Sequence, residues 1–198
     1  MRLLGTIIGL QVQVKSLKIG APPQKRYDPA GIRQVERLGL SSDGVESWDD
    51  NGLPLADVHN IKHPSGKNRV GSNGISICFT SHYALMRRRF GKHLTDGIAG
   101  ENILVDLQDS DEIFTEDTFE NGIVIEGVDG GRITLQSVIV APPCVEFSRW
   151  ALRYPDEDRP DRTVTETIQF LHEGTRGFYC SFAGSGVILR LGDQIFVP

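Results

Sequence analysis

The sequence predicts a mostly β fold of barrel type with helical insertions, in the α+β class. Three observations carry this. Short runs of apolar and β-branched residues recur through the second half, separated by turn signals such as Asp129-Gly130-Gly131. Within them Ile133 and Leu135 alternate with Thr134 and Gln136, the two-residue period of a strand with one wet face. Glycine (22) and proline (10) are plentiful, as a turn-rich β protein needs. With 198 residues, 39% hydrophobic and 24% charged, the chain can bury one sizeable core and reads as a single domain, 1–198.

The elements follow in order. Leu10, Val12 and Val14 alternate with Gln11 and Gln13, which makes the N-terminus a first strand. An arginine followed by an apolar run is faintly leader-like. Gln11, Gln13 and Lys15 interrupt it, and no small-residue cleavage site follows, so a cytoplasmic protein is expected. Residues 20–34 mix Pro, Gly and charge and read as an exposed loop. Residues 41–74 show little periodicity and read as a long loop, of the kind that often binds ligands or covers a site. A strand is expected over 74–80 and a helix over 81–94. Thr80 or Ser81 can cap that helix, Tyr83, Met86, Phe90 and Leu94 form its apolar stripe, and Gly91 loosens or ends it. Arg87, Arg88 and Arg89 read as a solvated face. Strands are expected at 102–105, 122–127 and 132–140. Pro142 and Pro143 stop the last, because proline cannot donate to a ladder, and a helical turn can begin at Cys144. The acid-rich run 106–117 and the charged run 153–162 read as solvated segments. Thr163 and Glu166 have capping-box spacing ahead of a second helix bearing Ile168 and Leu171, which Gly174 can end. The tail reads as two strands joined by a glycine turn, Phe178, Cys180 and Phe182 sharing one face of the first. Val187, Leu189 and Leu191 follow in the second, and Leu191–Val197 closes the sheet.

Several function classes lack their signals. Net charge is −5, so no bulk attraction for nucleic acid is present. No apolar run is long enough to span a membrane. There is no CxxC pair, HExxH, GxGxxG, P-loop or GxSxG. His63, Lys67 and Arg69 surround a Ser-Gly turn, which either cradles a phosphate or is a solvated basic turn. Cys78 and Cys180 lie inside apolar runs, where a packed, inert thiol is expected. Cys144 differs. It follows two stiff prolines at a strand end, and amides of a helix starting there would favour its thiolate, the form that is both nucleophile and metal ligand.

The order of motifs is more specific than any one of them. "GIAGENILV" (97–105) is followed by "PPCVEF" (142–147), "RGFY" (176–179) and "GDQI" (192–195). This order resembles the MOSC family, the C-terminal domain type of molybdenum-cofactor sulfurases, which also occurs as stand-alone bacterial proteins. The resemblance spans roughly 35–198, leaving 1–34 as an N-terminal strand and loop. It implies a strongly bent β-barrel, similar to that of pyruvate kinase, that binds a molybdopterin-type cofactor. In one form Cys144 ligates molybdenum in a reductase of N-hydroxylated or N-oxygenated compounds. In the other it carries sulfur as a persulfide for cofactor assembly. Gly97 and Gly100 would let the backbone approach a ligand. Asn102 would meet a pterin edge or hold the neighbouring loop. Glu101 would accept from pterin N–H groups or from Arg176, and Arg176 would bind the cofactor's phosphate or Glu101, with Lys67 and Arg69 as further phosphate candidates. The sulfurases' aminotransferase-like domain has no counterpart in these residues, so pyridoxal phosphate is not expected to bind this chain. No ferredoxin-type cluster motif is present either. A small-molecule substrate and separate electron-transfer or sulfur-donor proteins are the implied partners.

Overall fold

The computed structural model describes residues 1–22, 24–66, 73–107, 110–154 and 160–198. Among them are fourteen strands, three α-helices and two short 3₁₀ helices. β1 (Arg2–Gln13), β2 (Lys18–Ile19), β3 (Arg26–Tyr27), β4 (Ile32–Gln34), β5 (Arg37–Ser41), β6 (Gly44–Trp48) and β7 (Pro54–Ala56) make up the first part. β8 (Ile75–Phe79), α1 (Thr80–Phe90), β9 (Ile103–Asp106), β10 (Ile123–Glu126) and β11 (Arg132–Val140) follow. The chain ends with α2 (Val145–Leu152), α3 (Arg162–His172), β12 (Phe178–Ser181), β13 (Val187–Arg190) and β14 (Gln194–Val197).

Seven strands close on themselves in the order β14-β10-β11-β12-β8-β9-β1, with β1 returning to β14. Closure leaves the barrel no open edge. β1 is the strand that makes closure possible. It bulges between Leu3 and Gly5 and between Ile7 and Gly9, which bends it across two partners. Gly5 is required for the approach, since a Cβ there would sit 2.0 Å from the Asp106 carbonyl oxygen.

β8 and β9 are the parallel pair of the barrel. Parallel neighbours need a crossover, and here it is α1 plus the turn at 91–102. The "GIAGEN" motif is therefore the last piece of that crossover, where the chain re-enters the barrel wall. The interior holds Leu4, Ile7, Val12, Ile77, Ile103, Val105, Ile125 and Ile195. At one end Phe79, Phe114, Phe119 and Phe178 pack as an aromatic cluster. A second core beneath the helices joins Tyr83 and Met86 to Phe147, Ala151 and Leu171. His82 lies between these cores. Burial pushes its pKa down to about 4, its Nδ1–H donates to the Gly174 carbonyl, and Nε2 accepts from Phe114 N–H. It is a structural histidine.

The structure departs from the sequence reading in the first half. Residues 20–34 contain β3 and β4, and 41–74 contains β6 and β7. Together with β5 and β13 the latter build a second, four-stranded sheet ordered β13-β5-β6-β7. These strands are short, and their sequence lacks a sustained alternation. Their apolar faces are completed by distant partners: Trp48 packs over Gly39, and Leu38 and Val45 join the barrel core. β13 pairs with β5 in this sheet, not with its sequence neighbour β12. The caps also differ. α1 has no side-chain cap; Thr80 instead bonds Asp106, and Ser81 bonds the Glu112 carbonyl. The helix ends at Phe90, with Leu94 buried beyond it. α3 is capped by Asp161, not Thr163, through its bond from Val164 N–H. Phe114, inside the acid-rich run, is buried. No helix among the described residues is long and apolar enough to cross a membrane.

Candidate functional site

The crossover turn sets the site. Gly97 and Gly100 both take positive φ, +82° and +85°. A Cβ on Gly100 would lie 2.6 Å from Leu17 Cδ1. Two glutamines of β1 hold the turn: Gln11 Nε2 donates to the Gly97 carbonyl at 2.7 Å and Gln13 Nε2 to the Gly100 carbonyl at 2.6 Å. Both read as the wet face of a strand, yet both are buried. Their amides satisfy carbonyls that water cannot reach.

Asn102 is buried and fully engaged. Its Oδ1 accepts from Ser76 N–H and Oγ–H, each at 2.9 Å, and its Nδ2 donates to the Gln11 carbonyl at 3.2 Å and to Asp57 Oδ2 at 2.9 Å. It ties β8, β1 and the loop after β7 together, so it braces the site. Glu101 is also buried. Tyr83 Oη donates to its Oε2 at 2.9 Å, and Oε1 has no hydrogen-bond partner. Burial pushes its carboxyl up, against the downward pull of Arg176.

Beside this turn lies a cavity of about 580 Å³, within the size range of small-molecule and cofactor sites. Cys144, Arg176, Lys18, His59, Tyr27 and Tyr179 supply most of its chemistry. Cys144 is the residue that caps α2, and its Sγ accepts from Phe147 N–H at 3.4 Å. Burial pushes the thiol up; Lys18, the Phe147 amide and Arg176 pull it down, and Glu146 pushes it up again. The raised direction differs from the favoured thiolate expected of a cysteine at a helix start. Helix amides alone do not offset the loss of water. Arg176 donates to the Ala99 carbonyl and lies 4.8 Å from the Phe147 ring centroid.

Of the residues singled out in the sequence, Cys144 and Arg176 face one another's cavity, and Ala99 brings the turn to its wall. Gly100, Glu101 and Asn102 stand behind that wall. Lys67 and Arg69 lie outside the described residues. Lys18, Tyr27 and His59 escaped the sequence reading. The one available signal was Asp57-x-His59, a carboxylate two residues from an imidazole in an aperiodic stretch. Among the described residues no group of three or more His, Cys, Asp and Glu side chains could hold a metal ion. A metal at Cys144 would therefore need most of its ligands from a cofactor.

The electrostatics make a prediction. Lys18 is the largest opposing influence on the Cys144 thiol. Lys18→Met is expected to slow iodoacetamide alkylation of Cys144 at fixed pH by about threefold, because losing the cation raises the thiol further and leaves less thiolate. A pH–rate profile measured in the Lys18→Met and parent proteins checks this. An unchanged profile would remove Lys18 from the site's electrostatics.

A family model, MOSC domain, matches residues 67–196. No curated protein matches the chain. Among solved structures, the YuaD protein from Bacillus subtilis is similar with a TM-score of 0.55 at 15% identity, over 96% of this chain and 93% of that one. A protein described only as hypothetical gives 0.54 at 12% identity, over 98% and 67%. YiiM from Escherichia coli gives 0.49 at 15% identity, over 84% and 64%. At these identities the likeness to the first two speaks to the fold alone.

Proposed function

Because the chain belongs to the MOSC domain family, we propose that its cavity binds a molybdenum–pterin cofactor and that Cys144 is the protein's ligand to the metal. The reaction proposed is reduction of N-hydroxylated or N-oxygenated small molecules. The carrying observation is that the Cys144 thiol opens into the same cavity as two cations, Lys18 and Arg176.

The residues fit such a group. The soft thiolate suits molybdenum, and the Phe147 amide stabilises its anionic form. Arg176 and Lys18 suit a phosphate, with Arg176 already oriented by the Ala99 carbonyl. Tyr27 and Tyr179 offer aromatic faces and hydroxyls to a heterocycle. When bound, the cofactor supplies the electron transfer to the N–O bond. The chain's own work is to hold the thiol and the cations in fixed positions through the braced turn, and to narrow access of water. A separate electron-transfer protein supplies the reducing equivalents, in the cytoplasm where the cofactor is made. A core shared by the barrel and the second sheet supports treating 1–198 as one unit.

The test is expression in a host that makes molybdopterin, followed by metal and pterin analysis. Stoichiometric molybdenum and pterin in the parent, lost in Cys144→Ser and retained in Cys78→Ser, are expected. Cyanide-labile sulfur on Cys144 without molybdenum would instead make the protein a persulfide carrier. Absence of both would overturn the reading of Cys144.

A further inference from the structure

Reductive cleavage of an N–O bond needs protons as well as electrons, and the cavity holds one group suited to deliver them. Among its described lining residues, His59 is the imidazole, the side-chain type that exchanges protons near neutral pH. The other polar groups on the wall are lysine and arginine cations, tyrosines, small amide and hydroxyl groups, and a thiol raised by burial.

His59 is held in one orientation. Its Nδ1 and its own backbone N–H both bond Asp57 Oδ1 at 2.9 Å. Asp57 is fully buried, and its other oxygen accepts from Gln13 N–H at 2.7 Å and Asn102 Nδ2 at 2.9 Å. A carboxylate only accepts, so Nδ1 carries a hydrogen and Nε2 is the nitrogen that exchanges a proton. The ring lies against Tyr179, centroids 5.8 Å apart. Cys144, Lys18 and Arg176 line the same cavity. The brace running from Asn102 through Asp57 thus reaches an imidazole in the cavity wall.

We propose that His59, fixed by Asp57, is the proton donor to the substrate's oxygen, an inference that rests on the reductase reading above. In the overall step R₂N–OH, two electrons and two protons give R₂NH and water. His59 Nε2–H gives its proton to the hydroxyl oxygen as the N–O bond breaks, and that oxygen leaves as water. The nitrogen takes the second proton from solvent. The electrons come from the separate electron-transfer protein by way of the bound cofactor, and solvent reprotonates His59.

The experiment uses protein isolated from a molybdopterin-making host, with N-methylhydroxylamine as substrate and reduced methyl viologen as electron source. His59→Ala and His59→Gln are expected to retain molybdenum and lose about a hundredfold in turnover, the usual scale for a missing general acid. Added imidazole should restore part of the His59→Ala rate. In cofactor-free protein, nitrogen-15 spectra should show His59 as its Nδ1–H tautomer, and Asp57→Asn should redistribute it. Full turnover in His59→Ala with metal retained overturns this step alone. Loss of metal from both His59 variants without imidazole rescue makes His59 a brace and overturns it as well. A parent protein without molybdenum overturns the reductase reading and this step with it.

Discussion

Asn102→Leu is expected to lower the melting temperature by roughly 10 °C. The side chain is buried and makes four hydrogen bonds to three separate segments. Leucine fills the volume but takes the acceptor from Ser76 N–H and Oγ–H and the side-chain donor from the Gln11 carbonyl, and leaves Asp57 Oδ2 with Gln13 N–H alone. Each buried group so orphaned costs about 1–3 kcal/mol, for a total of about 3–5 kcal/mol. In a chain of this size each kcal/mol moves the midpoint by about 2–4 °C. Asn102→Asp is the sharper variant. It keeps the acceptor toward Ser76 but replaces the donor that faces Asp57 Oδ2, 2.9 Å away, with a second carboxylate oxygen. Its loss of stability should be comparable at neutral pH and smaller in acid, where one of the two carboxyls takes a proton. Thermal denaturation followed by circular dichroism reads both. A shift under about 2 °C for Asn102→Leu would mean that these bonds contribute little net stability, against the scale above.

The barrel strands were legible because Val, Ile and Leu alternate or run together in β9, β10 and β11, and turn residues separate them. The second sheet was not. β6 and β7 are three to five residues long, and their burial comes from Trp48 on Gly39 and from β13 at the other end of the sequence. No local pattern encodes a partner that distant. The same division holds at the site. Cys144 was legible because two prolines and a helix start constrain it locally. Gln11 and Gln13 looked solvent-facing, since strand alternation says only that they oppose Leu10 and Val12. Their burial follows from the crossover turn folding over them, which gives their amides carbonyls to bond. His59 was passed over for the same reason. Asp57 and His59 are neighbours in sequence, but what marks them is that Asn102, in another element, fills the other Asp57 oxygen. Glu101 and Asn102, adjacent in the motif, have different tasks: Asn102 is satisfied on all sides, whereas Glu101 keeps one unpartnered oxygen and a nearby cation.

That last pairing gives the second large effect. Arg176→Met is expected to destabilise the protein by about 3 kcal/mol at pH 8, the scale for leaving the buried Glu101 charge without a compensating cation. Burial raises the Glu101 carboxyl and Arg176 opposes the rise. A carboxyl raised by folding binds more protons in the native state than in the unfolded chain. Stability is therefore lost as pH climbs from the ordinary carboxyl value of 4.5 toward the raised one. Removing Arg176 pushes the carboxyl further up and extends that window toward neutral pH. The Arg176→Met penalty should thus be smaller at pH 5 than at pH 8, because a carboxyl raised by burial takes up its proton as the pH falls. Glu101→Gln in the same background should recover most of the loss and flatten the pH dependence, because glutamine still offers an acceptor to Tyr83 Oη. The remainder belongs to the contacts with Phe147 and the Ala99 carbonyl. Denaturant titrations of the four proteins at the two pH values close the cycle. Molybdenum content should behave differently. If Arg176 also holds the cofactor's phosphate, the double variant regains its stability without regaining its metal. Recovery of both would confine Arg176 to neutralising Glu101.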